Sequence, residues 1–163
     1  MISIKRKYVF WTVLIVLLLS VIAVLANHFV QREWLEQRQI ELLEDALAPQ
    51  TAEAAAYDWA EAIKTRNGAW QYALMDEELR EEYLEEFEST NWVTGFSSPW
   101  VEKYEVSRES EDEEGNIMFK VKFDWYTSGG YSYSNTGTLK VGEFTDGPEK
   151  WLITYLDFSY EPD

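Results

Sequence analysis

The side chains able to do chemistry in this chain are few in kind. There is no Cys, so thiol nucleophiles, thiolate metal sites and disulfides are excluded. The one His is His28, which removes Ser-His-Asp and Cys-His hydrolysis and His-ligated zinc from everything beyond it. Carboxylate and tyrosine chemistry remain. A carboxylate becomes a general base when burial raises its pKa, so an acid on an apolar face is the pattern to seek. Asp124 stands between Phe123 and Trp125, and period-two alternation turns it outward with Lys120 and Lys122. Asp157, between Leu156 and Phe158, is less clearly placed, and Asp58 lies one position off the apolar face that carries Trp59. None of the three has the pattern of a buried base, and no catalytic residue is assigned. The run Glu109-Ser110-Glu111-Asp112-Glu113-Glu114-Gly115-Asn116 clusters hard oxygens of the kind Ca²⁺ takes, yet lacks the Asp-x-Asp-x-Asp-Gly spacing of an EF-hand. A solvated turn is expected there, and no metal or cofactor.

Aromatic residues offer recognition instead. They make up 16% of the chain, which argues against disorder. The segment Asn91–Trp100 holds Trp92, Phe96 and Trp100, mostly outside regular structure. Rings on a loop can anchor a partner or stack on sugars; alternatively they plug an open end of the core. Tyr126, Tyr131 and Tyr133 surround Gly129-Gly130 and form a tyrosine-rich hairpin tip. Tyrosine gives large contact area at small entropy loss, while cross-strand aromatic pairing is the competing explanation. The expected partner-binding residues are Trp92, Phe96, Trp100, Tyr131 and Tyr133.

These residues need a scaffold. Helical spacing predicts a helix over about Thr51–Thr65, with Ala52, Ala56, Trp59, Ala60 and Ile63 on one face. Arg66-Asn67-Gly68 should stop it, since Asn and Gly tolerate the left-handed conformation. A short helix follows through Ala69–Leu74. Asp76 is the expected N-cap of a third, in which Leu79, Tyr83 and Phe87 repeat at i, i+4, i+8. Its acidic outer face reads as solvated. Four strands are then expected over Val101–Ser110, Asn116–Ser128, Tyr131–Glu143 and Trp151–Tyr160. In the first, alternation sets Val101, Lys103 and Glu105 against Glu102, Tyr104 and Val106. In the second, Ile117, Phe119, Val121, Phe123 and Trp125 share a face. Turn residues Glu114-Gly115-Asn116, Gly129-Gly130 and Asp146-Gly147-Pro148 separate the strands. Helices first and a meander after them predict an α+β fold, with helices packed on a curved four-stranded antiparallel sheet.

An apolar segment precedes all of this. Residues 8–30 contain no Asp, Glu, Lys or Arg, and Lys5-Arg6-Lys7 stands directly before them. Such a helix covers the ~30 Å hydrocarbon core of a bilayer. The basic residues put the N-terminus on the cytoplasmic side, and Tyr8 and Trp11 suit the headgroup region. A cleaved signal peptide is the rival, with Val24-Leu25-Ala26 as its cleavage site, but the apolar run exceeds a usual h-region of roughly 7–15 residues. The expected organisation is a basic cytoplasmic tail (1–7), a transmembrane anchor (8–30), a stalk helix (31–50) and an extracytoplasmic domain (51–163). Residues 31–163 hold all 30 acids and 11 of the 14 bases, a net charge of −19. That charge repels phosphate backbones and anionic lipid headgroups, so nucleic acid is not an expected partner.

The order of elements resembles the nuclear transport factor 2-like superfamily, also called cystatin-like. Within it the chain looks most like small membrane-anchored extracytoplasmic domains of Gram-positive bacteria. The non-catalytic N-terminal domain of some class B penicillin-binding proteins is a relative by fold. The residues that carry the resemblance are Trp59-Ala60-Glu61-Ala62, Gly68-x-x-x-Tyr72-x-Leu74-Met75, Ser97-Ser98-Pro99-Trp100-Val101 and Trp151-Leu152-Ile153-Thr154. The resemblance implies a cone-shaped domain with a cavity between helices and sheet, and it fixes no chemistry, because the superfamily hosts isomerases, dehydratases and inert interaction modules. The functional expectation is a non-enzymatic module that binds an envelope protein or cell-wall component. The alternative is a cavity for a small apolar ligand, with or without chemistry on it, faced by Phe119, Phe123 and Trp125.

Overall fold

The computed structural model describes residues 2–95, 97–144 and 150–158, without the side chains of residues 2–7, 9 and 10. Phe96, the Asp146-Gly147-Pro148 turn, Ser159-Tyr160 and the side chains of Lys5, Arg6 and Lys7 therefore lie outside the described residues. The chain divides into two compact units, residues 1–44 and 45–163.

Helix α1 (Ile2–Leu47) is unbroken over 46 residues, about 69 Å at 1.5 Å per residue. The expected membrane span and stalk are one helix. Pro49 ends it, because proline disfavours the helical conformation of the residue before it. Every side chain from Trp11 to Leu43 is exposed, and the helix is long and apolar enough to cross a membrane. A helix apolar on all sides is at home in lipid or in a protein core.

The second unit is α+β. Helices α2 (Ala52–Lys64), α3 (Gly68–Ala73) and α4 (Glu77–Ser89) precede strands β1 (Trp100–Glu111), β2 (Ile117–Thr127), β3 (Gly130–Phe144) and β4 (Lys150–Phe158). The strands form an open, curved antiparallel sheet in the order β1-β2-β3-β4. Thr51 caps α2 through its hydroxyl, which accepts from the Ala54 amide at 3.1 Å. Ala52, Ala55, Ala56 and Ala60 then bring the α2 backbone close to the sheet, and Trp59 is the large side chain that reaches over it. Asp76 caps α4 by accepting from the Leu79 amide at 2.9 Å. The inner face of β2 is as the alternation predicts: Ile117, Phe119, Val121 and Phe123 are buried and Trp125 packs against them.

Two expectations change. The residue in the left-handed conformation after α2 is Arg66, at φ 60°, and Asn67 instead caps α3. In β1 the register slips between Val101 and Lys103, so Val101, Tyr104 and Val106 face Trp125, Phe123 and Val121 on one side of the sheet. Glu102 sits in the bulge that makes this possible. At the other edge β4 is covered: the Trp151 amide donates to Pro49 O at 3.0 Å, the Ile153 amide to Leu74 O at 2.8 Å, and the Asp76 amide to Ile153 O at 2.9 Å.

The acidic turn between β1 and β2 closes on itself. The Asp112 carboxylate accepts from the amides of Glu114 (3.0 Å) and Asn116 (2.9 Å) and from Asn116 Nδ2 (3.0 Å), and Lys140 Nζ stands 3.1 Å away. The Asn116 side chain first, then Lys140 and the two amides, outweigh burial and bring the Asp112 pKa from 3.8 down to about 2. A folded-state value below the unfolded one gives stability that is complete above the unfolded pKa and lost as pH falls through about 2. Between roughly pH 5 and pH 2 the melting temperature of the parent should therefore fall more steeply than that of Asp112→Asn. Parallel falls in the two proteins would dismiss the role given to this carboxylate.

Candidate functional site

Between α2, α3, α4 and the inner face of the sheet lies a cavity of about 310 Å³. Its walls are mainly rings and aliphatic groups, with Trp59, Tyr83, Phe87, Trp125 and Phe158 as the aromatic ones. Trp59 packs on Phe158 at 4.7 Å between ring centroids and on Phe123 at 6.2 Å. Gly137 makes room for this arrangement, since a Cβ there would collide with the Phe158 ring. Phe119 and Phe123, expected on the cavity side, are buried in the core beneath it, and Trp125 reaches the cavity itself.

The polar groups of the lining are largely committed. Gln71 Nε2 donates to Ala62 O at 3.2 Å and to Thr94 Oγ1 at 2.8 Å. The Arg66 guanidinium donates to Ser97 O at 2.6 Å and Pro99 O at 3.2 Å, which ties the 94–99 loop to the end of α2. Tyr83 has its hydroxyl pKa raised by burial and then by Glu82 and Glu86, so it stays neutral. Trp59 is the exception. It is 4% exposed, and its Nε1–H meets no acceptor among the described residues.

The five expected partner-binding residues fall in different places. Trp92, at φ 62°, stacks on Phe87 at 5.9 Å and meets Tyr72 edge-on at 5.2 Å, so its ring is part of the packing around α4. Phe96 is outside the described residues. Tyr133 is on the inner face, stacked on Trp125 at 5.9 Å. Trp100 and Tyr131 are on the outer face with Tyr126 between them, through the pairings Trp100↔Tyr126 and Tyr126↔Tyr131. The Tyr126 and Tyr131 rings meet edge-on at 5.7 Å. Tyr131 is 59% exposed. Its hydroxyl lies 3.1 Å from Ser134 Oγ, whose own proton goes to Asp124 Oδ1 at 2.5 Å, so Tyr131 is the donor. Tyr126 belongs to the expected tyrosine-rich tip but not to the five expected partner-binding residues. Its place beside Tyr131 depends on a β3 bulge at Ser132, which the alternation of residues does not announce.

Carboxylates are arranged as follows. Asp124 is 3.6 Å from Lys122 Nζ, on the outer face. Asp157 is exposed. Asp58 is half-buried, and that burial raises its pKa. Nearby, Tyr104 is pushed up to about 12 by burial, by its hydrogen bond with Glu61 and by the charges of Glu61, Tyr57 and Asp58. At neutral pH Tyr104 is therefore a hydrogen-bond donor to Glu61. Among the described residues no three His, Cys, Asp or Glu side chains are grouped to hold a metal ion.

No family model, curated protein or solved structure matches the chain.

Proposed function

We propose that this chain is a single-pass, membrane-anchored and non-enzymatic interaction domain, with its N-terminus in the cytoplasm and the acidic domain outside. Its partner is an envelope protein or a cell-wall component. The observation that carries the reading is the row Trp100-Tyr126-Tyr131 on the outer face of the sheet. Three aromatic residues side by side at the end of a rigid sheet form the kind of low-entropy contact surface used in recognition. Support for the anchor comes from α1, which is long and apolar enough to cross a bilayer, and from Lys5-Arg6-Lys7 before it. Support for membership of the nuclear transport factor 2-like superfamily is the order of three helices followed by a four-strand meander. The net charge of −19 beyond residue 30 keeps nucleic acid and anionic lipid at a distance.

Photo-crosslinking in intact cells tests this reading. Probes at Trp100 and at Tyr131 should trap the same envelope protein or glycan. In the native background, Tyr126→Ala should cut that yield by roughly tenfold, as loss of a central aromatic contact does. Tyr155, which is 46% exposed on β4, serves as the control position. Equal trapping from Tyr155, or full yield in Tyr126→Ala, would remove the surface from consideration.

A second reading has its own observation. The aromatic-walled cavity of about 310 Å³ is at the small end of ligand-pocket volumes and suits a small apolar ligand.

A further inference from the structure

Buried polar atoms in folded proteins almost always have a partner, and an exception calls for a cause. Trp59 Nε1–H is such an exception among the described residues, and Trp59 also lines the cavity. Packing alone gives no reason for the donor. The buried α2 face around it is made of alanines, and a phenylalanine would bring an aromatic ring to Phe123 and Phe158 without an N–H to satisfy. A trapped water is a poor cause, since it needs two or more polar partners and the Arg66, Gln71, Thr90 and Thr94 side chains of the lining are already engaged elsewhere.

We infer that the cavity takes an uncharged, mainly apolar molecule with one hydrogen-bond acceptor, and that Trp59 Nε1–H donates to that acceptor. This rests on the cavity being a ligand site. The apolar body follows from the walls of Ile63, Met75, Phe87, Trp125 and Phe158. The absence of charge follows from the rest of the lining. Arg66 spends its guanidinium on the carbonyls of Ser97 and Pro99 and is offset in sign by Glu86, and Tyr83 is neutral. An anion would gain no uncommitted counter-charge in exchange for its lost hydration, and a cation would find only Glu86, which is exposed and screened by water. An ester, ketone or amide on a ring or short chain has the right chemistry.

The test uses the full chain in lipid nanodiscs, labelled with ¹⁵N at the tryptophan indoles. The Trp59 resonance is assigned through its proximity to the Phe123 and Phe158 rings. Two probes of nearly equal shape are titrated, 2-acetylnaphthalene with a carbonyl and 2-isopropylnaphthalene without one, and partition into protein-free discs is subtracted. The ketone should move the Trp59 indole proton downfield and bind about fivefold to tenfold more tightly than the hydrocarbon, the effect of one net hydrogen bond. Trp59→Phe should bring the two probes level. If that variant does not fold, the native resonance and the probe pair still decide. Equal binding of both probes with no downfield shift overturns the acceptor and leaves the cavity as an apolar site. Binding of neither probe overturns the cavity as a ligand site, and the inference with it.

Discussion

Replacing Phe123 with alanine is expected to cost about 3–5 kcal/mol, the range for a large aromatic side chain removed from a packed core. Phe123 is 2% exposed and sits where helix and sheet meet. Its ring centroid lies 5.9 Å from that of Phe158, 6.2 Å from Trp59, and 6.4 Å from both Tyr104 and Trp125. Four rings from α2, β1, β2 and β4 would lose a common neighbour. Domains of this size are stable by roughly 5–15 kcal/mol, so the variant keeps little margin. Phe123→Leu should lose about 1–1.5 kcal/mol, because much of the volume is kept. Urea unfolding followed by tryptophan fluorescence measures both. A cost for the alanine variant no greater than for the leucine variant would mean that the ring cluster collapses freely around the gap.

Arg80→Ala should cost about 2–3 kcal/mol for a different reason, the loss of charge-assisted hydrogen bonds to partly buried carbonyls. The Arg80 guanidinium donates to Ala73 O at 2.7 Å, Met75 O at 2.9 Å and Tyr72 O at 3.0 Å, and lies over the Tyr72 ring at 5.2 Å. Tyr72 and Ala73 form the end of α3, a helix of six residues that has no stability of its own, and Met75 lies two residues beyond it. Leu74 and Asp76, on either side of Met75, carry the backbone contacts to Ile153, so the loss spreads to the edge of the sheet. Arg80→Lys should recover less than half, because an ammonium cannot present a planar fork to three acceptors. Full rescue by lysine, read from the same unfolding curves, would reduce the role of Arg80 to charge alone.

How far the sequence reveals these features depends on the range of the interaction involved. The α2 face, the Asp76 cap and the inner row of β2 arise within one element, from helical or two-residue spacing, and they are legible. Arg66 is not. Its left-handed backbone is accompanied by hydrogen bonds to carbonyls 31 and 33 residues later, and local preference pointed to Asn67 and Gly68 instead. In β1 the alternation pairs Tyr104 with Val106 as the structure does, but it sets Val101 apart from them, because one bulged residue, Glu102, resets the phase. A second bulge, at Ser132, splits the tyrosines of the hairpin tip between two faces and brings Tyr126 beside Tyr131. Trp92 offers the same lesson on the loop: a large ring outside regular structure reads as available, yet this one is stacked against Phe87. The cavity wall depends on Gly137 leaving space for Phe158, a pairing across two strands that no spacing rule contains.

The hydrogen bonds from β4 to Pro49, Leu74 and Asp76 also set an order in time. Synthesis delivers α2, α3 and α4 long before β4. Until β4 is made, Leu74 O and the Asp76 amide lack their strand partner, and the helices have only part of a sheet on which to bury their alanines and Trp59. Short helices form and melt within about a microsecond, whereas contacts between distant parts of a chain wait on loop closure. The domain therefore has little to gain from setting helix by helix as the ribosome advances. The edge of the sheet closes only when β4 meets residues made between 77 and 102 positions earlier, and contacts of such long range slow folding.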